Sequence, residues 1–582
     1  MKGILRYLRD YKKESILAPL FKMLEAAFEL LIPIVMANVI DVGIAGGDIG
    51  YVTRMCLIMI LLGIIGLVCS ITAQYFSAKA ATGFGTALRN DLFRHITSLS
   101  YTEIDSIGTS TLLTRMTSDT NQVQTGVNMV LRLFLRSPFI VFGAMIMSFT
   151  IDVKSAMTFV VTIPALSIVV FGVMALSIPL FKKVQSRLDR VTLLTREGLE
   201  GARVIRAFNR QDKEFAEFDR STDDLMKFQL LAGRISAFMN PVTYVIINIS
   251  TAAIIWIAAG QTEAGILTQG KVVALVNYMS QILVELIKLA NLIVTITKAV
   301  ACAKRINVVM DQQPSITDGS GKNDGAHENS VMNSVKVSFR GASLRYAGAG
   351  ADSLSDITFD VAPGQTVGII GGTGSGKSSL VNMIPRFYDA GQGSVSIDGV
   401  DVKDYPLDEL RHKVGVVPQK SVLFAGTIAE NIRWGKQDAT DAEIDEALEI
   451  AQAKEFVDGK ERGINFKITQ GGKNLSGGQK QRLTIARAVV RKPEILILDD
   501  SASALDFATD AALRKAIREK TKGMTVFLVS QRASTIMNSD KIIVMDDGQI
   551  AGIGTHRQLL SNCEVYREIC QSQLSEEELA HE

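Results

Sequence analysis

Strong charge of one sign is the first thing this sequence lacks. Charged residues make up 21% of its 582 residues, and basic and acidic side chains nearly cancel at a formal net charge of +2. A nucleic-acid binder needs a basic excess against the polyanion, so that class is excluded. Cysteine is scarce too. Cys56, Cys69, Cys302, Cys563 and Cys570 have neither a metal-type CxxC spacing nor the density of a disulfide framework, and they read as ordinary thiols. What is abundant is apolar: 47% of the residues are hydrophobic and the mean hydropathy is +0.22. A chain this long exceeds what one hydrophobic core usually supports, so at least two domains are expected, one of them in lipid.

The first 310 residues carry apolar stretches long enough to cross a hydrocarbon core, which takes about 20 helical residues. The sequence predicts six spans, near 16–40, 55–78, 130–151, 156–181, 241–261 and 270–297. No small-residue cleavage site follows the basic N-terminal segment, so the first helix is read as uncleaved. Lys2, Arg6, Arg9, Lys12 and Lys13 precede the first span, while residues 41–50 beyond it hold only Asp41 and Asp48, which places the N-terminus in the cytoplasm. Six crossings return the chain there, so everything after residue 300 is expected to be cytoplasmic. Segments 79–129 and 182–240 are polar, rich in helix formers and nearly free of proline, and they predict two long cytoplasmic extensions of the helices. The alternative, two cytosolic subdomains, lacks the apolar content for separate cores.

Residues 311–334 are rich in Gly, Asn and Asp without apolar periodicity, and read as a linker. From 335 to 582, short runs such as TVGIIG (366–371), ILILD (495–499) and TVFLVS (525–530) alternate with helical stretches, the pattern of an α/β domain with a largely parallel sheet. The expected fold is therefore an α-helical six-span transmembrane domain (1–310) followed by an α/β domain, made a phosphate-loop nucleotide-binding domain by the motif at 371–378.

Gly371, Gly372, Thr373, Gly374, Ser375, Gly376, Lys377 and Ser378, followed by Ser379, fit GxxxxGKS/T after a buried strand and at the start of a helix. Glycines let the backbone wrap phosphates so that N–H groups face the negative charge. Lys377 is placed at the β- and γ-phosphates, and the Ser378 hydroxyl on Mg2+. Asp499, closing ILILD, is the carboxylate that such a site needs at a neighbouring strand tip to hold the magnesium shell.

Leu475-Ser476-Gly477-Gly478-Gln479, followed by Lys480-Gln481-Arg482, resembles the LSGGQ signature of the ATP-binding cassette (ABC) family, in its expected place between the phosphate loop and Asp499. The resemblance covers essentially the whole chain, because the six-span, long-loop pattern is similar to the exporter branch. It implies that Tyr346 stacks on adenine, that Gln419 reaches magnesium and senses the membrane domain, and that Asp506 of SALD lies in a loop communicating across a dimer. It also implies that ATP is shared between the phosphate loop of one cassette and Ser476, Gly477, Gly478 and Gln479 of another, so a second half-transporter is the expected partner. Segments near Tyr101–Leu113 and Ala207–Phe218 resemble helices that rest on the cassettes; ordinary amphipathic surface helices are the alternative.

Two departures stand out. The family usually places a glutamate after the magnesium aspartate to polarise water, and here the residue is Asp500, one methylene shorter. The family's switch histidine is replaced by Gln531, which donates a hydrogen bond but cannot become a cation. Gln470 stands where a glutamate often precedes the signature. Asp500 and Gln531 both belong to the half-site built on this chain's own phosphate loop, whereas its signature is whole. The expectation is a heterodimer with one weak and one competent site; a homodimer with two slow sites is the alternative.

Glu25 and Glu29 lie one turn apart on the first span, and Glu285 and Lys288 sit on the sixth beside Asn277, Gln281 and Asn291. These suggest a polar cavity wall, since ionisable residues in spans usually face protein or water. A carboxylate lining favours cationic amphiphiles, while Arg132 and Arg136 argue the other way. The expected activity is ATP-driven export of a small molecule across the cell membrane, with drug-like amphiphile, lipid and peptide all open. A nucleotide-gated channel or regulator, or an importer on the same scaffold, is the alternative; a soluble ATPase is excluded by the spans.

Overall fold

The computed structural model describes residue 3 and residues 6–319, 335–501, 505–521 and 523–574; the latter part of the expected linker lies outside them. The chain divides into two compact units, Met1–Thr97 with Ser110–Gln312, and Ser98–Thr109 with Gln313–Glu582.

The first unit is helical. Among the described residues, six helical stretches are long and apolar enough to cross a membrane: Arg6–Ile44, Ile49–Ser98, Thr109–Ile151, Val153–Glu200, Gln211–Glu263 and Gln269–Met310. Each contains one expected span, and several helices run well beyond it. The second stretch buries almost none of its most apolar window, and Leu57, Ile60, Leu61, Ile64, Leu67 and Ile71 are exposed along it. Apolar side chains facing outward on a helix of this length suit hydrocarbon.

The third stretch is not one straight helix. Thr120–Leu133 ends and Arg136–Ile151 begins afresh, because Pro138 has no N–H for the carbonyl of Phe134 and its ring crowds that position. In the second extension, the segment expected near Ala207–Phe218 falls differently. A short helix spans Ala202–Ala207, the turn passes through Asn209 at φ 51°, and Gln211 opens the next helix. Between 101 and 113 the structure has Tyr101–Ile107, opened by a Ser100–Glu103 capping box and closed at Gly108 (φ 82°), and then Thr109–Thr114.

An ionic network ties the helices of this unit. Arg136 donates to Glu285 and Glu29, at 2.7 Å each, and lies 4.0 Å from Glu25. Lys288 donates to Glu285 at 2.8 Å, Ser137 to its other oxygen at 2.8 Å, and Lys22 to Glu25 at 2.6 Å. First, third and sixth stretches thus share one set of charges, and the arginine that argues against an acidic wall is what neutralises it.

The second unit is α/β. Its strands are β1 (Val337–Leu344), β2 (Leu354–Val361), β3 (Thr366–Gly371), β4 (Gln392–Ile397), β5 (Val400–Asp401), β6 (Val414–Val417), β7 (Gly426–Thr427), β8 (Lys467–Ile468), β9 (Ile495–Asp499), β10 (Thr525–Val529), β11 (Lys541–Asp546) and β12 (Gln549–Gly554). The six-stranded sheet runs β12-β11-β3-β10-β9-β6, parallel except for the β11–β12 hairpin. β9 and β10 are buried along their whole length; covered on both faces, they read in sequence as unbroken apolar runs. A four-stranded antiparallel sheet, β2-β1-β4-β5, packs against one face through a core containing Phe339, Phe359, Ile369 and Phe527. The other face is covered by helices, among them Gly477–Val489.

Removing one partner of a buried charge pair leaves the other uncompensated, at a cost of about 3–5 kcal/mol. Arg136→Ala, which takes from Glu29 its one partner among the described residues and leaves Glu285 to Lys288 and Ser137, is therefore expected to lower the thermal unfolding midpoint clearly. Arg132→Ala, which loses only a 3.2 Å hydrogen bond to Gln74, should change it little. Equal midpoints for the two variants would contradict this account of the network.

Candidate functional site

The carboxyl ends of β3 and β9, separated by β10, meet at one edge of the parallel sheet, where ligands of open α/β sheets bind. At two positions the turn out of β3 fits there only as glycine. A Cβ on Gly371 would lie 2.1 Å from the carbonyl oxygen of Met545, and Gly376 adopts φ 93° with Ser353 O and Leu354 Cδ2 at 2.9 and 2.8 Å from where a Cβ would be. Gly376 is the N-cap of the helix that starts at Lys377.

Lys377 is buried and folds its ammonium back onto the loop, donating to Gly371 O at 2.9 Å, Gly372 O at 2.5 Å and Ser375 Oγ at 3.2 Å. Burial pulls its pKa down, opposed by the charges of Asp500 and Asp499. Ser378 Oγ donates to Asp499 Oδ1 at 2.9 Å. Burial pushes the Asp499 carboxyl up; the Ser378 hydrogen bond works against this, the Asp500 charge with it. Asp500 follows in the left-handed region at φ 46°, its N–H donating to Val529 O at 3.0 Å, and its Oδ2 lies 3.4 Å from Gln419 Nε2.

These groups line one cleft of about 560 Å³ that holds Tyr346, Thr373, Gly374, Gly376, Lys377, Ser378, Ser379, Gln419, Asp499, Asp500 and Gln531. Tyr346 closes one end, with its hydroxyl 2.8 Å from Ser379 Oγ and its ring edge-on to Tyr388 at 5.0 Å. Loop N–H groups and the Lys377 ammonium, a hydroxyl and two carboxylates, with a flat aromatic face at the far end, match the phosphates, magnesium and the base of a nucleotide. Ser378, Asp499 and Gln419 supply hard oxygen ligands of the kind magnesium prefers.

Ser476, Gly477, Gly478, Gln479 and Asp506 are absent from the lining of this cleft. Ser476 caps the helix Gly477–Val489, accepting from Gln479 N while Gln479 Oε1 accepts from Ser476 N at 3.1 Å. Asp506 caps Phe507–Lys520, accepting from Thr509 N at 2.9 Å, a bond that holds its carboxyl below the usual range. Ser503 and Ala504 of SALD lie outside the described residues. Gln470 sits in a short helical turn at Gln470–Gly472.

Several neighbours were not singled out from the sequence. Gln573 Nε2 donates to Gln531 O at 2.8 Å and its Oε1 accepts from Ala533 N at 2.8 Å, so a residue near the end of the described chain fixes the Gln531 loop. Tyr388 OH donates to Asp105 Oδ2 at 2.7 Å, and Tyr101 lies 4.8 Å from Phe387, which joins the Tyr101–Ile107 helix to the aromatic end of the cleft. Asp547 and Gly548, at φ 42° and 77°, turn the β11–β12 hairpin into the cleft wall. Their Asp-Gly pair is the one such signal a sequence displays openly.

Comparison with known proteins agrees with this geometry. Residues 15–286 match the ABC transporter transmembrane region and residues 354–503 the ABC transporter family model. The chain is 36% identical over 573 residues to an uncharacterised ABC transporter ATP-binding protein of Mycobacterium tuberculosis, covering 98% of this chain and 97% of that one. It is 31% identical over 590 residues to an ATP-dependent lipid A-core flippase of Bordetella avium, covering 99% and 97%. The fold matches a bacterial Atm1-family ABC exporter solved with ATP bound, at a TM-score of 0.78 and 23% identity, over 99% of this chain and 100% of that one. With six apolar helical stretches ahead of a nucleotide-binding cassette, the chain belongs to the ABC transporter family and is a multi-pass membrane ATPase that couples ATP hydrolysis to export.

Proposed function

We propose that this chain is one half of a dimeric exporter of a small molecule in the cell membrane, whose own phosphate loop builds the weaker of two ATP sites. The membrane part is residues 1–310, the linker 311–334 and the cassette 335–582, with the N-terminus and the cassette in the cytoplasm. What carries the reading is the pairing of Asp500 and Gln531 in one cleft with a complete loop and Asp499. Binding groups are whole while those that activate water are short or uncharged.

In this reading, loop N–H groups and Lys377 hold the triphosphate and Tyr346 takes the adenine. Ser378, Asp499 and Gln419 would hold Mg2+, which would supply positive charge against the phosphates. Asp500 has the task of orienting water, and a misplacement of about 1 Å costs about a hundredfold in rate. Gln531 offers a hydrogen bond to the γ-phosphate without a positive charge. Ser476 to Gln479, whose capping interactions leave them outside this chain's own cleft, suit a role against the nucleotide of a second cassette, and Asp506 a role at the same boundary. Because that signature is intact, a partner with glutamate and histidine at the matching places would form a competent site with it; this favours a heterodimer over a homodimer. Nucleotide contacts made only when the cassettes close then shift the spans outward, and hydrolysis resets them.

Two outcomes follow. The purified lone chain should hydrolyse Mg·ATP slowly, and Asp500→Glu combined with Gln531→His should raise that rate by up to about a hundredfold; brisk hydrolysis by the unaltered lone chain would contradict the weak-site reading. Lys377→Ala in the double variant should abolish the gained activity, and undiminished turnover would contradict the assignment of the phosphate site.

A further inference from the structure

We infer that this chain's share of the transport cleft selects a zwitterionic amphiphile, an inference that rests on the export reading. A cleft of about 460 Å³ opens between the first, second and sixth helical stretches, beside the ionic network. That volume suits a drug-sized molecule.

Three basic groups, Lys22, Arg136 and Lys288, balance three acidic ones, Glu25, Glu29 and Glu285, so the network has no formal net charge. Its accessibility is uneven. Lys22, Glu25, Arg136 and Glu285 have side chains 4–17% exposed, whereas Glu29 is 38% and Lys288 42% exposed. Glu285 also lines the cleft, but it is buried and already accepts from Arg136, Lys288 and Ser137. Glu29 has one partner among the described residues, Arg136, and Lys288 has one, Glu285. A molecule in the cleft therefore meets one carboxylate and one ammonium, each with hydrogen-bonding capacity to spare, from opposite helices. A singly charged ligand satisfies one and faces the other unpaired; a zwitterion pairs with both and keeps the local charge at zero.

The remaining lining fits the rest of such a molecule. Asn277 and Gln281 add amides, and Gln281 Oε1 is a buried acceptor without a partner among the described residues. Met36, Met59, Ile32 and Val284 form the apolar side, and methionine adapts to varied shapes. A zwitterionic lipid head group and a free zwitterionic amphiphile share this chemistry.

The test uses the full-length protein in nanodiscs of phosphatidylglycerol and three probes with one octyl chain: a sulfobetaine, a trimethylammonium and a sulfonate, with dissociation constants measured without ATP. The sulfobetaine should bind about fivefold more tightly than either singly charged probe. Glu29→Gln should turn the preference toward the sulfonate, and Lys288→Gln toward the trimethylammonium, a change of sign that loss of structure would not produce. Repeating the measurement in phosphatidylcholine distinguishes the sources. Loss of sulfobetaine binding there assigns the cleft to lipid head groups, and its retention assigns it to free zwitterions; both uphold the inference. Equal affinity for the three probes, or a preference for one charge that survives both variants, overturns it. Failure of ATP-dependent transport with the charge preference intact would instead remove the export reading.

Discussion

A triphosphate can be held only where several backbone N–H groups and a cation converge with no side chain in the way, and the cassette is organised around the one place where that holds. β3 sits inside the sheet so that its carboxyl end delivers the loop to the edge. Gly371 passes so close to Met545 O that no Cβ fits, and Gly376 takes a left-handed turn against Ser353 O to begin the helix. β9, one strand removed, brings Asp499 within hydrogen-bonding distance of Ser378. The fully buried parallel strands are the rigid support of this arrangement, and a looser sheet would blur the distances on which magnesium and water activation depend.

The same economy of charge governs the membrane unit in the opposite medium. Ionised groups in hydrocarbon are costly, so the acids of the first and sixth stretches are retained with an arginine from the third placed among them. Such a network fixes which helices neighbour one another, and of its members that line the cleft, Glu29 and Lys288 are the exposed ones while Glu285 is buried.

Much of this was legible in the sequence, and the reasons differ by region. Strands β3, β9 and β10 announce themselves as unbroken apolar runs because both faces are covered. The phosphate loop is readable because glycines and Lys377 lie within eight consecutive residues, and the six spans because their length is set by the bilayer. Contacts across long sequence separations were not readable. Arg136 and Glu285 are 149 positions apart, so Arg136 looked like an argument against the acids it neutralises. Gln573 reaches Gln531 over 42 positions from an ordinary amphipathic helix. The break at Phe134 was masked by the surrounding hydropathy, although Pro138 supplied its cause. The second extension turned at Asn209, a left-handed position that hydrophobic pattern does not mark.

In the proposed heterodimer this chain's phosphate loop retains ATP while the partner's site turns over. Imaging the purified assembly by electron cryo-microscopy during steady hydrolysis of Mg·ATP tests it most directly. Intact ATP beside Lys377 and Asp500, with ADP at the other site, is the predicted result; ADP at equal occupancy in both sites would contradict it.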